Sequence, residues 1–172
     1  MRKIILVGYM AVGKSTIGKI LAQKMQMKFI DLDQSIEESV KLPITEIFKQ
    51  HGEIYFRKLE HLEFQKCINN QESVIISTGG GTPCYSDNHL LLSAEGVISI
   101  YLKASIEELY QRLRLNSDSR PLVGQKTEEE LKEFIAKNLF ERSYFYNQAK
   151  YKITVDGKNP ETIAAEIFNL LH

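Results

Sequence analysis

The chain predicts an α/β fold, a central parallel five-stranded sheet flanked by helices on both faces, and three observations carry that expectation. Short apolar runs alternate with helix-periodic segments from end to end. The length of 172 residues suits one domain, 1–172, able to bury its own core without disulfides. Third, the apolar run Ile4-Ile5-Leu6-Val7 leads directly into Gly8-Tyr9-Met10-Ala11-Val12-Gly13-Lys14-Ser15-Thr16, the Gly-x4-Gly-Lys-Ser phosphate-binding loop of nucleoside triphosphate enzymes. By composition alone that pattern arises in a chain this long roughly once in a hundred.

Each element follows in order. Strands are expected near 3–8, 28–32, 74–78, 97–102 and 151–155, each a short apolar run. After the first strand, Ile17, Ile20, Leu21 and Met25 recur at helical spacing. A helix from about 53 to 69 follows Gly52. Ser105 precedes Glu107-Glu108, Thr127 precedes Glu128-Glu129-Glu130, and Pro160 opens the last helix with Glu161 behind it, three legible helix starts. Residues 116–126 are polar, punctuated by Pro121 and Gly124 and flanked by helices, which predicts a lid loop.

Composition narrows the function. The 22 basic and 22 acidic residues cancel, which argues against a nucleic-acid or anionic-membrane partner. No apolar run approaches a membrane span. Cys67 and Cys84 make neither a metal motif nor a disulfide framework, and Arg2-Lys3 leads into a core strand rather than a signal sequence. These features predict a cytoplasmic protein.

The loop's backbone N–H groups and the positive end of the following helix would cradle phosphates, with Lys14 reaching the β- and γ-phosphate oxygens and Ser15 ligating Mg²⁺. Ligands of parallel sheets bind beyond the carboxyl ends of the strands. Asp31 and Asp33 end the second strand, where an extended backbone would turn both to one side, one assisting Mg²⁺ and the other accepting a proton. Asp33 could instead only cap a helix. Gly79-Gly80-Gly81 at the third strand's end suggests close approach of a ligand to the backbone, or a flexible turn. Arg57 and Glu60 share a helix face, so Glu60 could hold Arg57's fork for a carboxylate or phosphate, or the two could be a solvated pair. Arg120 in the lid could act as an arginine finger or as an ordinary loop arginine. Arg142 suits either an anion or its helix terminus. The aromatic cluster Phe134, Phe140, Tyr144, Phe145 and Tyr146 reads as packing, and Cys84 as a packed thiol bordering the site.

The constellation resembles the shikimate kinase family: the phosphate loop, Asp-Leu-Asp, Phe-Arg-Lys-Leu-Glu, Gly-Gly-Gly, Arg-Pro-Leu and Arg142-x3-Tyr146 occur in the family's order across nearly the whole chain. The resemblance implies the P-loop kinase fold and phosphorylation of the 3-hydroxyl of shikimate by ATP, with Mg²⁺ as cofactor, in aromatic amino-acid biosynthesis. It makes Asp33 the hydroxyl ligand and base, with Arg57, Arg142 and Gly79, Gly80 and Gly81 completing the substrate site. Ala11, Val12, Gly13, Lys14, Ser15 and Thr16 would hold the ATP phosphates, Ser15 and Asp31 the magnesium, and Arg120 would close over the nucleotide. Lys158 matches the family's adenine-site position, and either Arg112 or Arg114 the nucleotide-contacting arginine upstream of the lid. Ala11 departs from the glycine common there, adding a methyl group that strains the loop if φ is positive.

A monomer acting on two small molecules is expected. The competing readings are another small-molecule kinase, for gluconate or a nucleoside monophosphate, and a non-catalytic nucleotide-binding module.

Overall fold

The computed structural model describes residues 2–115 and 126–172. Residues 116–125, which include Arg120 and nearly all of the expected lid, lie outside the described residues.

Five parallel strands form one sheet: β1 (Lys3–Val7), β2 (Lys28–Asp31), β3 (Val74–Ser77), β4 (Val97–Lys103) and β5 (Tyr151–Thr154), in the spatial order β2-β3-β1-β4-β5. All five expected strands are present. The helices are α1 (Lys14–Met25), α2 (Leu32–Val40), α3 (Ile44–Asn69), α4 (Ile106–Leu115), α5 (Glu128–Tyr146) and α6 (Pro160–Leu170), with short 3-10 turns at Thr82–Cys84 and Asn88–Ser93.

Side chains alternate along a strand, and here both faces are buried. On one face Ile4, Leu6, Ile75, Ile100 and Leu102 pack against Ile17 and Leu21 of α1, Leu109 and Leu113 of α4, Ile135 of α5 and Ile163 of α6. On the other, Ile5, Val7, Ile76 and Tyr101 pack against Leu32 and Ile36 of α2 and Phe56 and Phe64 of α3. Thr127 caps α5 in a reciprocal capping box with Glu130, and Asn159 caps α6 ahead of Pro160.

Helix α3 is two helical stretches meeting at a kink, because Gly52 (φ 78°, ψ 177°) is non-helical: the expected helix of about 53–69 does follow Gly52, and a shorter stretch from Ile44, not among the sequence expectations, precedes it. Pro43 fits the position before a first turn, a start signal as legible as the glycine.

Strand β1 is central, and the chain goes from it to β2 on one side before β3 hands on to β4 on the other. The loops leaving β1 and β3 therefore diverge and open a cleft beyond their carboxyl ends. The β1–α1 loop has positive φ at Gly8 (147°), Ala11 (62°) and Gly13 (99°). Left-handed backbone at Ala11 costs a residue with a Cβ about 1–2 kcal/mol. Ala11→Gly should therefore stabilise the protein by about 0.5–1 kcal/mol in urea denaturation, net of the extra freedom glycine has when unfolded. A loss of stability would show that the methyl group makes a contact worth more than the strain.

Candidate active site

Helix α1 starts at Gly13 with no side-chain cap and no acidic residue in its first turn, so its N-terminal N–H groups and positive end stay open to an anion. A cavity of about 220 Å³ lies over that end, lined by Ala11, Gly13, Lys14, Ser15 and Thr16 together with Asp31, Asp33, Ser77, Gly79 and Gly80. Val12 is fully buried and is not part of that lining. Lys14 is nearly buried and folds back on its own loop, donating to the carbonyls of Gly8 at 2.8 Å and Tyr9 at 2.9 Å. Ser15 Oγ donates to Asp31 Oδ2 at 2.5 Å and lies 3.2 Å from Ser77 Oγ.

The two aspartates do not share an extended strand. β2 ends at Asp31, which is the N-cap of α2 and accepts from Gln34 N at 3.4 Å, while Asp33 sits in the first helical turn. The capping role considered for Asp33 belongs to Asp31. Both carboxylates still reach the cavity, because a helix starting at the strand's end keeps its first turn over the cleft. Asp33 is exposed by surface area, yet its carboxyl end sits among enough neighbours to be raised from 3.8 to about 6, by desolvation first, then by the charges of Glu60 and Asp31, with Lys14 opposing.

A second cavity of about 210 Å³ adjoins the first, lined by Met10, Asp33, Phe48, Phe56, Arg57, Glu60, Gly79, Gly80, Gly81 and Arg142. Arg57 Nη1 donates to Glu60 Oε2 at 2.8 Å, and Nε lies 3.5 Å from Glu53 Oε1. Burial works against the Arg57 charge, but Glu60 and then Glu53 outweigh it and raise its pKa above the ordinary value. This is a held arginine with Glu60 only 1% exposed, not a solvated pair. Arg142 reaches the same cavity from α5 and lies 5.6 Å from the Tyr9 ring centroid.

The glycine run has a reason that the sequence did not disclose. A Cβ on Gly81 would stand 2.6 Å from Arg57 Nη2, one on Gly79 would stand 2.8 Å from Glu60 Oε1, and one on Gly80 would stand 3.3 Å from Arg142 Nη1. The close approach is that of the site's own side chains, and none of the three glycines has positive φ.

Arg112 and Arg114 are separated by the fold. Arg112 Nη1 donates to Val12 O at 2.8 Å and its Nε pairs with Glu108 at 2.7 Å, which brings it to the phosphate loop, whereas Arg114 is exposed near the end of α4. Lys158, on the loop after β5, pairs with Glu166 of α6 at 2.7 Å.

Tyr146, read from the sequence as packing, donates to Gly80 O at 2.6 Å and so holds the glycine turn. Its place one helical turn after Arg142 was the available signal. Phe140 is exposed, and Tyr144, though largely exposed, packs edge-on against Phe145 with ring centroids 5.3 Å apart. Cys84 lines a further cavity with Arg57 and Arg142, and burial pushes its thiol up to about 11, so it stays neutral.

Among the described residues, no helix is long and apolar enough to cross a membrane. A sequence model of the shikimate kinase family matches residues 10–172. The shikimate kinase of Flavobacterium johnsoniae is 52% identical over 171 residues, 99% of each chain, and that of Flavobacterium psychrophilum 50% identical with the same coverage. Among solved structures, the shikimate kinase of Bacteroides thetaiotaomicron superposes with a TM-score of 0.90 at 36% identity, covering 99% of this chain and 98% of its own. That of Acinetobacter baumannii, solved in complex with shikimate, gives 0.87 at 29% identity, covering 99% and 93%. With the phosphate loop, the held arginine and the glycine turn set around one cleft, these likenesses along almost all of its length mean that the chain belongs to the shikimate kinase family.

Proposed function

We infer that the chain transfers the γ-phosphoryl group of ATP to the 3-hydroxyl of shikimate, giving shikimate 3-phosphate and ADP, with the residues of the cleft in the following roles. The observation that carries this reading is the pair of adjoining cavities, one at the phosphate loop and one at the arginines, with Asp33 in the lining of both.

ATP lays its phosphates along Ala11 to Thr16, where backbone N–H groups, the open end of α1 and Lys14 meet their charge. Arg112 secures the loop from α4, and Arg120, which lies outside the described residues, supplies the further positive charge over the phosphates that the family resemblance implies. Lys158 borders the adenine. Shikimate directs its carboxylate at Arg57 and Arg142 and its hydroxyls at Asp33, beside Gly79, Gly80 and Gly81. The acceptor oxygen forms its bond to the γ-phosphorus as the bond to the ADP oxygen breaks. Asp33, largely ionised at pH 7, takes the hydroxyl proton.

Ser15 and Asp31 fit a magnesium ion: both offer hard oxygens, and they stand together at the loop. With a single carboxylate at that point, the remaining positions would fall to phosphate oxygens and water. Held there by Ser15 and Asp31, Mg²⁺ would offset the negative charge that develops on the transferring phosphoryl group. We further propose that residues 1–172 act as one domain, as a cytoplasmic monomer, with 116–126 as its lid.

An ATP-consumption assay offering shikimate, quinate, gluconate and nucleoside monophosphates side by side tests the reading. Shikimate should show the highest kcat/KM, at least about a hundredfold above the nucleoside monophosphates, since the paired arginines and the carboxylate select an anionic polyol; quinate and gluconate share that chemistry and test how closely the cavity fits the ring. Faster turnover of gluconate or a nucleotide would reassign the acceptor cavity.

A further inference from the structure

We propose that Thr82, tethered by Asn88, is a positioning residue for recognition of the substrate carboxylate, acting through Glu60 on Arg57. The proposal rests on the assignment of Arg57 to the acceptor.

A carboxylate as buried as Glu60 needs a partner on each oxygen. Arg57 Nη1 supplies one, at 2.8 Å to Oε2, and Thr82 Oγ1 supplies the other, donating at 2.7 Å to Oε1. Two donors on opposite oxygens fix the plane of the carboxylate and with it the direction of the guanidinium. Thr82 is itself held. Its N–H donates to Gly79 O at 3.2 Å, and its carbonyl accepts from Asn88 Nδ2 at 2.8 Å. Asn88 Oδ1 lies 2.6 Å from Nδ1 of His61, the residue after Glu60 in α3. The chain of contacts thus leaves α3 at Glu60 and returns to it at His61, locking the turn after β3 to the helix that carries Arg57. Thr82 and Asn88 are fully buried and line neither cavity, so they act on a substrate only through the residues they hold, the Thr82 hydroxyl through Glu60. Bidentate recognition of a carboxylate depends on the angle of the arginine fork, and that angle is what the Thr82 hydroxyl controls.

The test is a kinetic cycle on the full chain with Thr82→Val, Thr82→Ser, Arg57→Ala and the double variant Arg57→Ala with Thr82→Val. Thr82→Val should raise the KM for shikimate about tenfold, the loss of one hydrogen bond to a charged group, while the KM for ATP stays within twofold. Thr82→Ser, which keeps the hydroxyl, should restore the parent value. In the Arg57→Ala background Thr82→Val should change the shikimate KM less than twofold, because the group it positions is gone. If Thr82→Val does not fold, Asn88→Ser loosens the same tether and should raise the shikimate KM about threefold with the ATP KM unmoved. An unchanged shikimate KM in these variants, equal rises for both substrates, or a tenfold effect persisting without Arg57 would overturn the proposal. If Arg57→Ala itself leaves the shikimate KM unaltered, the assignment of the acceptor cavity fails instead.

Discussion

Asp33→Asn should lower kcat by roughly 10²–10⁴ with a much smaller change in the KM for shikimate, because the amide keeps the shape and hydrogen bonding of the carboxylate but cannot take the proton. The parent enzyme should lose kcat/KM for shikimate on the acid side with an apparent pKa near 6, the value to which desolvation, Glu60 and Asp31 raise this carboxyl. The variant's residual activity should lack that limb. Stability should move differently. A carboxyl that holds its proton more tightly folded than unfolded contributes fully below its ordinary value of 3.8, and the contribution is lost as the pH climbs through about 6. Ionised Asp33 therefore weighs against the fold at pH 7, and the Asp33→Asn protein should melt no lower than the parent there. A drop in melting temperature with intact turnover would reduce Asp33 to a first-turn helix residue.

Lys14→Met should cut kcat by about a hundredfold or more, through loss of charge stabilisation on the transferring phosphoryl group. The lysine is held by the Gly8 and Tyr9 carbonyls, so the proposed role requires it to exchange those contacts for phosphate oxygens. Removing it costs the loop two charged hydrogen bonds but also relieves a buried charge, so the folding free energy should shift by no more than about 2 kcal/mol. A second readout comes from Asp33. Since Lys14 lowers the Asp33 pKa, its removal should move the acid limb of the remaining activity to higher pH. Near-normal turnover together with an unmoved limb would take Lys14 out of the mechanism.

The parts of this molecule legible in the sequence are those where local pattern and tertiary demand coincide. The five strands are apolar runs because both sheet faces are covered, and the phosphate loop is a contiguous motif whose chemistry is mostly backbone. What local pattern could not supply was direction. Nothing in Asp31-Leu32-Asp33 says that the strand stops at the first aspartate and a helix begins, which gives the capping role to Asp31 while both carboxylates line the cavity. The glycine run advertised a close approach, but its partners, Arg57, Glu60 and Arg142, come from helices tens of residues away. Arg112 and Arg114 differ only by rotation around α4, and packing against the loop decides between them. Thr82 is an unremarkable residue in sequence; its hydroxyl acquires meaning only when α3 lies beside it.

Met10, Asp33, Gly79 and Gly80 line both the phosphate cavity and the acceptor cavity, and this shared wall bears on how such an enzyme can diverge. A change at any of the four is felt by the donor and the acceptor at once, so those positions are tied to the whole reaction. Phe48 and Arg57 face only the acceptor side, and Ser15 and Thr16 only the donor side. Acceptor preference can therefore drift by substitutions on α3 while the ATP half stands unchanged, and a lineage can explore new alcohols without first losing its phosphoryl donor.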